Sequence, residues 1–173
     1  MTNRFGGLRA RLIRESLYQM LWDSLDVLDW FDAGRKHQPV QFLSTGVDDR
    51  EAVVVNTAVL VDWDFTEEYD ELGTLLSDHR QTYYVDFYPE NDAIGLHLVQ
   101  DIKDILGGRV SAIGRTMPNL PVYDYSQVTP PLLFYCRLED PIIDRPTTFE
   151  RPWMRYFRTI RFDVVDSYGT DND

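Results

Sequence analysis

The stretch RQTYYVDFY, residues 80–88, alternates between two sets of side chains with the two-residue period of a β-strand. Tyr83, Val85 and Phe87 fall on one side, and a more polar set that includes Asp86 falls on the other. Alternation of this kind predicts a strand with one buried face. Such a strand requires a partner, and the preceding sequence contains one.

The predicted partner is the run Glu51–Phe65, which is rich in apolar and β-branched residues. Its second half alternates, with Val59, Val61 and Trp63 on the same face. The two runs predict an antiparallel pair. The acidic segment between them, residues 67–78, is predicted to contain a short helix.

Two amphipathic helices are predicted on either side of this pair. Apolar residues recur at steps of three and four over residues 8–31, which predicts a long N-terminal helix that ends near Gly34. A second helix is predicted to begin at Asn91 or Asp92, whose side chains suit an N-cap, and to end at Gly107.

The remaining strands complete an α+β domain. A mostly antiparallel sheet is expected to pack against the long N-terminal helix and the second, central helix. A single domain is predicted over residues 1–168, followed by a disordered tail at residues 169–173. The further predicted strands are 41–43, 122–126, 132–139 and 154–166, with an irregular connection at 141–152.

The charge is strongly unbalanced. The 173 residues are 43% hydrophobic and 27% charged, as in a globular protein, but the net charge is −12. Residues 37–104 contain 3 basic and 15 acidic side chains, an excess equal to the whole net charge. Net acidity repels phosphate, so a sequence-reading nucleic-acid binder is not expected. The acidic region is either a solvated face or a functional surface.

The cysteine content and the apolar patterning indicate where in the cell the protein is expected. Cys136 is the single cysteine, so no intramolecular disulfide is expected, and a reducing compartment such as a cytoplasm fits. The most apolar stretch, residues 52–61, is about half of the ~20 residues that a membrane-spanning helix needs. We expect a soluble chain with no membrane partner.

The sequence contains no motif typical of catalysis or of phosphate binding, so we expect a protein that is not an enzyme and has no cofactor. One alternative is a site built from Asp62, Asp64 and Asp86, which as neighbouring carboxylates could bind a divalent cation. Solvent-facing strand carboxylates are the simpler interpretation. His97 and Asp101 share a helical face, but two residues do not make a metal site.

Aromatic residues accompanied by arginine are typical of interface cores, and the last third of the chain contains several, although a domain core is their ordinary role. An acidic middle and an arginine-bearing last third also permit head-to-tail docking of like protomers, which closes into a ring. The residues predicted to form the basic and aromatic interface are Arg109, Arg115, Arg151, Trp153, Arg155 and Arg158.

Several short motifs resemble those of a virion protein family from long-tailed (siphovirus-type) phages of actinobacteria, which is encoded among the head-to-tail joining and tail genes. The similarity extends from about Val40 to Tyr168, and the tail terminator is the member that the chain resembles most. The motifs are Tyr84-Val85-Asp86-Phe87-Tyr88, Asp92-x-x-Gly95-Leu96-His97, Asp101-Ile102-x-Asp104-Ile105, Ile113-Gly114-Arg115-Thr116, Pro121-Val122-Tyr123-Asp124 and Phe162-Asp163-Val164-Val165-Asp166.

The resemblance implies a structural subunit of the virion, located at the head–tail junction and assembled in the host cytoplasm. Tail terminators form a hexameric ring that ends polymerisation of the tail-tube protein, meets the neck or head-completion protein, and lets genomic DNA pass without specific binding. A neck adaptor or stopper, and a monomeric assembly adaptor, remain as alternatives. By this analogy, the residues expected to face the ring lumen or a ring interface are Asp48, Asp49, Glu67, Glu68, Asp70 and Glu71.

Overall fold

The computed structural model describes most of the chain and shows an α+β fold. The described residues are 4–32, 40–44, 55–69, 77–107, 119–139, 142–144 and 156–167. Within them lie two helices, α1 (Arg4–Val27) and α2 (Asp92–Leu106), and seven strands, β1 (Gln41–Ser44), β2 (Thr57–Tyr69), β3 (Ser77–Tyr88), β4 (Asn119–Tyr123), β5 (Leu132–Leu138), β6 (Ile142–Asp144) and β7 (Arg158–Ser167).

The strands form one mixed, mostly antiparallel sheet in the order β1-β2-β3-β7-β5-β4, and β6 also pairs with β7. Only β1 and β2 run parallel. The predicted antiparallel pair is the hairpin β2–β3, in which Leu60 lies opposite Val85 and Asp62 opposite Tyr83. On its other edge β3 pairs with β7, which places Ile160 opposite Val85. The last described strand therefore lies in the middle of the sheet.

Both helices pack on the same face of the sheet. β3 and β7 contribute buried side chains to this face. Among them, the rings of Tyr83 and Phe162 are stacked, with 5.9 Å between their centroids. They join the apolar stripes of the helices in one core. The indole Nε1 of Trp30 donates a hydrogen bond to Asp101 of α2 (2.8 Å), which ties the end of α1 to the second helix.

The start of α1 is anchored to the end of β7 by a buried ion pair. Arg9 donates two hydrogen bonds to the Asp166 carboxylate, one of them from Nη2 to Oδ1 at 2.7 Å. The Asp166 side chain is only 4% exposed. The Arg9 guanidinium also lies 3.6 Å from the centroid of the Phe134 ring of β5, close enough for a cation–π contact.

The first helix ends at Val27, seven residues before the predicted end near Gly34. The chain turns at Asp29, whose φ is 63°. The N–H of Asp29 donates to the carbonyl of Asp26 (2.9 Å), and the N–H of Trp30 donates to the carbonyl of Leu25 (3.0 Å). This pair of bonds is a Schellman motif, and the buried contact of Trp30 with the core accompanies it. The prediction of an end near Gly34 was therefore wrong.

We expect Asp29→Val to lower the free energy of unfolding by about 1–2 kcal/mol, because a β-branched side chain is strained at positive φ. Asp29→Gly should change it by less than about 1 kcal/mol, since glycine is the usual residue at this position. Urea denaturation measures both. The control is Asp26→Val, which makes the same replacement at an exposed helical position, and equal losses at the two positions would contradict the turn.

The strand boundaries differ from the predictions at several places. β2 begins at Thr57 and continues to Tyr69, and its pairing with β3 shifts between Asp62 and Asp64, so the predicted regular alternation through Trp63 is broken. The predicted strand 122–126 is instead β4 followed by a turn, because the Asp124 carboxylate closes that turn. β6 lies within the connection predicted to be irregular.

The predictions for α2, β1 and β5 are confirmed. α2 begins after Asn91, whose side chain accepts a hydrogen bond from the N–H of Ile94 (3.0 Å), and ends at Gly107. The predicted terminal strand is β7, which begins at Arg158. The segment 67–78, which was predicted to separate the two strands and to contain a short helix, belongs at its two ends to β2, as far as Tyr69, and to β3, from Ser77 onward. Its middle at 70–76, the start of the first long run at 51–54 and the tail at 169–173 lie outside the described residues.

Candidate assembly surfaces

The hairpin β2–β3 carries acidic residues to its far end. β1 pairs with β2 only as far as Leu60, and beyond that point β2 continues to Tyr69. Near this end Glu67 lies opposite His79 and Glu68 lies opposite Asp78. Backbone pairing therefore brings two of the predicted acidic residues, together with a further aspartate, to one end of the central strands.

Of the other predicted assembly residues, one lies in a described strand and the rest lie outside the described residues. Arg158 is the first residue of β7. The predicted residues that lie outside the described ranges are Asp48, Asp49, Asp70 and Glu71 of the acidic set and Arg109, Arg115, Arg151, Trp153 and Arg155 of the basic and aromatic set.

Arg158 makes its contacts inside its own chain. It is 6% exposed, its Nη2 donates to the Asp92 carboxylate at the start of α2, and its Nη1 donates to the carbonyl of Phe157 (3.1 Å). The half-buried ring of Phe157 packs against Tyr88, with 4.9 Å between centroids. Asp92, by contrast, is 53% exposed. The interface role of Arg158 stays a prediction, and its observed role is to join β7 to α2.

The sheet face opposite the helices carries a ladder of polar side chains between β3 and β7. Thr82 donates to Asp163 (2.7 Å), and Thr159 donates to Asp86 (2.7 Å). Arg80 lies 3.5 Å from Asp163. Because opposite charges and hydroxyl–carboxylate pairs alternate along it, this ladder is a solvated, internally paired surface.

The three residues of the alternative carboxylate site lie on β2 and β3. Asp62 and Asp64 lie on either side of the pairing irregularity in β2, and Asp86 accepts its hydrogen bond from Thr159. Within the described ranges, no group of three or more His, Cys, Asp or Glu side chains is placed to hold a metal ion. Asp101, the residue paired with His97 in the sequence, accepts the indole hydrogen bond of Trp30.

The hairpin β4–β5 exposes large hydrophobic side chains. Val128 at its tip is fully exposed, and Tyr135 is 61% exposed on the strand. Alternation along β5 directs Phe134 and Cys136 toward the core and Leu133 and Tyr135 away from it. The described chain has ten exposed large hydrophobic residues, and half of them lie between Tyr125 and Tyr135. None of these five residues belongs to the interface residues that were predicted from the sequence.

The tip of this hairpin is held by its own hydrogen bonds. One carboxylate oxygen of Asp124 accepts from the N–H (3.0 Å) and hydroxyl (2.6 Å) of Ser126, and the other accepts from the Gln127 amide (3.1 Å). These bonds hold the pKa of the Asp124 carboxyl below its usual value. The N–H of Asp124 donates to the carbonyl of Pro131 (3.1 Å), which closes the loop.

The end of β4 that adjoins the loop is attached to α1. The Ser16 hydroxyl, buried in the helix, accepts a hydrogen bond from the N–H of Tyr123 (2.9 Å). Cys136 lies on the helix-facing side of β5 and is buried. Burial raises the pKa of the Cys136 thiol strongly, and the nearby Asp166 carboxylate raises it further. The thiol is therefore protonated and inaccessible.

Comparison with known proteins adds no family. No protein-family model matches the chain, and no curated protein matches it with significance. Among the described residues, neither helix is both long enough and apolar enough to cross a membrane.

Proposed function

We propose that this protein is a structural subunit of a phage head–tail junction that forms a hexameric ring, ends polymerisation of the tail tube and joins the tail to the neck. One observation supports this proposal beyond the sequence resemblance. In the sheet, β7 lies between the pair β2–β3, which contains Glu67 and Glu68, and the exposed apolar hairpin β4–β5. A ring subunit can use two such parts of one sheet for two different neighbours.

The two surfaces suit two kinds of neighbour. Carboxylates that face a lumen repel the DNA phosphates, so DNA slides through without adhering. Exposed apolar side chains favour protein contacts, because their burial is the main favourable contribution to association. The proposed partners are further copies, the tail-tube protein and the neck protein. The residues proposed to face the lumen or a ring interface are Asp48, Asp49, Glu67, Glu68, Asp70 and Glu71.

Phage genetics tests this function directly. We expect phage with an amber codon at Tyr18, grown on a host without a suppressor, to accumulate DNA-filled heads and separate tails with tubes of uncontrolled length. Electron microscopy of the lysate measures both. Expression of the wild-type chain from a plasmid is the control and should restore joined particles, with antibody against the chain bound at the head–tail junction.

The possible outcomes separate the candidate roles. Unjoined tails of normal length would assign the chain to a neck adaptor or stopper instead of the terminator. Joined, infectious particles in the amber phage would contradict a role at the junction altogether. For the carboxylate alternative, calorimetry with Mg²⁺ and Mn²⁺ on the wild-type protein and on Asp64→Asn is decisive, and a metal-binding isotherm that Asp64→Asn abolishes would favour the enzyme.

A further inference from the structure

The hairpin β4–β5 contains the longest uncharged segment of a highly charged chain. Residues 125–136 contain no Asp, Glu, Lys, Arg or His, although 27% of the whole chain is Asp, Glu, Lys or Arg. At the two ends of this segment stand charges of opposite sign, Asp124 and Arg137. Its surface is therefore neutral as well as apolar, which distinguishes it from the acidic surfaces elsewhere.

Five large hydrophobic side chains of this segment are exposed. Leu132, Leu133 and Tyr135 lie on β5, and Tyr125 and Val128 lie in the loop that precedes it. We call these five residues the hairpin patch. On the opposite side of β5, Phe134 packs toward Arg9 of α1 and Cys136 is buried.

The hairpin patch is rigid before it meets a partner. Five hydrogen bonds to or from Asp124 fix the loop, and two consecutive prolines, Pro130 and Pro131, restrict the backbone where the chain enters β5. Prolines and carboxylate-closed turns remove conformational freedom from the unbound loop. Little ordering is then required on association, which favours binding.

We propose that the hairpin patch is the surface through which this protein associates with a second copy of itself. A contact of the patch with the same patch of a second copy joins the two copies about a two-fold axis. It is therefore additional to the head-to-tail contact that closes a ring, and it goes beyond the proposed function. Each copy has a net charge of −12, so two copies repel one another over most of their surfaces, and this repulsion is weakest where the contacting side chains are uncharged.

The size of the patch fits this role. Its five side chains expose on the order of 400–500 Å², somewhat more than half of the ~800 Å² that each partner contributes to a specific interface. A patch of this size forms the apolar centre of a contact, and the polar side chains around it form the rim. Asp124 and Arg137 at the margins can then align the two copies.

Sedimentation velocity tests the proposal with the full chain. The test variant is Val128→Thr/Leu133→Thr/Tyr135→Thr, which removes apolar contact but keeps residues that suit strands and loops. We expect its self-association to be weaker by about 100-fold, since each lost apolar contact costs several-fold in affinity. The control Val27→Thr/Val55→Thr removes exposed apolar side chains elsewhere and should associate like the wild type. Equal Tm values show that all the variants are folded.

The dependence of self-association on salt concentration identifies the partner. Raising NaCl from about 0.05 M to about 0.5 M screens the repulsion between two acidic copies, so association through a neutral patch should strengthen. If the hairpin instead receives a basic protein, the purified chain stays monomeric at both salt concentrations, and that result overturns the proposal. The proposal also fails if the triple variant associates like the wild type, because another surface then holds the copies together.

Thiol labelling provides an independent measurement. We expect a maleimide to label Val128→Cys rapidly in dilute, monomeric protein and at least about tenfold more slowly in the associated protein, whereas Gln100→Cys on the exposed side of α2 labels at the same rate in both. The native Cys136 does not interfere because it is buried. Unprotected Val128→Cys in an associated sample contradicts the proposal. The amber-phage result is separate, since self-association through the patch can hold whether or not the chain acts at a head–tail junction.

Discussion

Arg9→Met is expected to lower the free energy of unfolding by about 3–5 kcal/mol, as measured by urea denaturation at neutral pH. The reason is the carboxylate that remains. Asp166 is 4% exposed and accepts two hydrogen bonds from Arg9, so removal of the arginine leaves a buried negative charge without its partner. The lost contact with the Phe134 ring adds a smaller amount.

Arg11→Met is the matched control for this prediction. Arg11 lies two residues away on the same helix, is exposed, and pairs with Glu15 at the i,i+4 spacing. Exposed pairs of this type contribute about 0.3–0.5 kcal/mol, so the control should lose little stability. Arg9→Met/Asp166→Val should recover most of the loss, because an apolar pair replaces the ion pair. Equal losses for Arg9→Met and Arg11→Met would contradict the buried pair.

Asp92→Asn is expected to lower the free energy of unfolding by about 3 kcal/mol, because the buried guanidinium of Arg158 loses the carboxylate that pairs with it. Removing the other partner of the pair should cost less stability. Arg158→Met should cost only about 1 kcal/mol, since the methionine fills the space of the arginine stem and Asp92 remains in contact with water. Thermal and urea denaturation of the two single variants measure the difference.

Glu90→Gln serves as the control for the charge change, because Glu90 is exposed and lies two residues before Asp92. It should change the free energy of unfolding by less than about 0.5 kcal/mol. The double variant Asp92→Asn/Arg158→Met should be more stable than Asp92→Asn alone. If Arg158→Met proved the more damaging single replacement, the guanidinium would not depend on Asp92, and the explanation would fail.

Much of the secondary structure follows from periodicity. The alternation in residues 80–88 and the capped, amphipathic pattern of α2 are local signals, and both elements form where they are predicted. Where a local signal competes with tertiary contacts, the predicted boundary of the element is wrong. α1 ends at Val27 because Trp30 is drawn into the core and bonds to α2, information that a three-to-four-residue repeat does not contain.

The candidate surfaces are predicted less well, for a related reason. The acidic residues are visible in the sequence as a charge excess, but the pairing that brings Glu68 opposite Asp78 depends on the register of β2 and β3. The apolar surface of β4–β5 has a sequence signal in the absence of charge from residue 125 to residue 136. Apolar residues in a strand are ordinarily assigned to the core, so their outward direction becomes apparent only from the sheet.

The central position of β7 has a consequence for synthesis of the protein. β7 joins the half of the sheet that contains β2 and β3 to the half that contains β5 and β4, and it is the last described strand along the chain. While the ribosome is still making residues 158–167, the two hairpins cannot be joined and Arg9 has no Asp166 to bind. Contacts over such sequence separations form slowly. The sheet therefore closes only after β7, the last described strand, has been made.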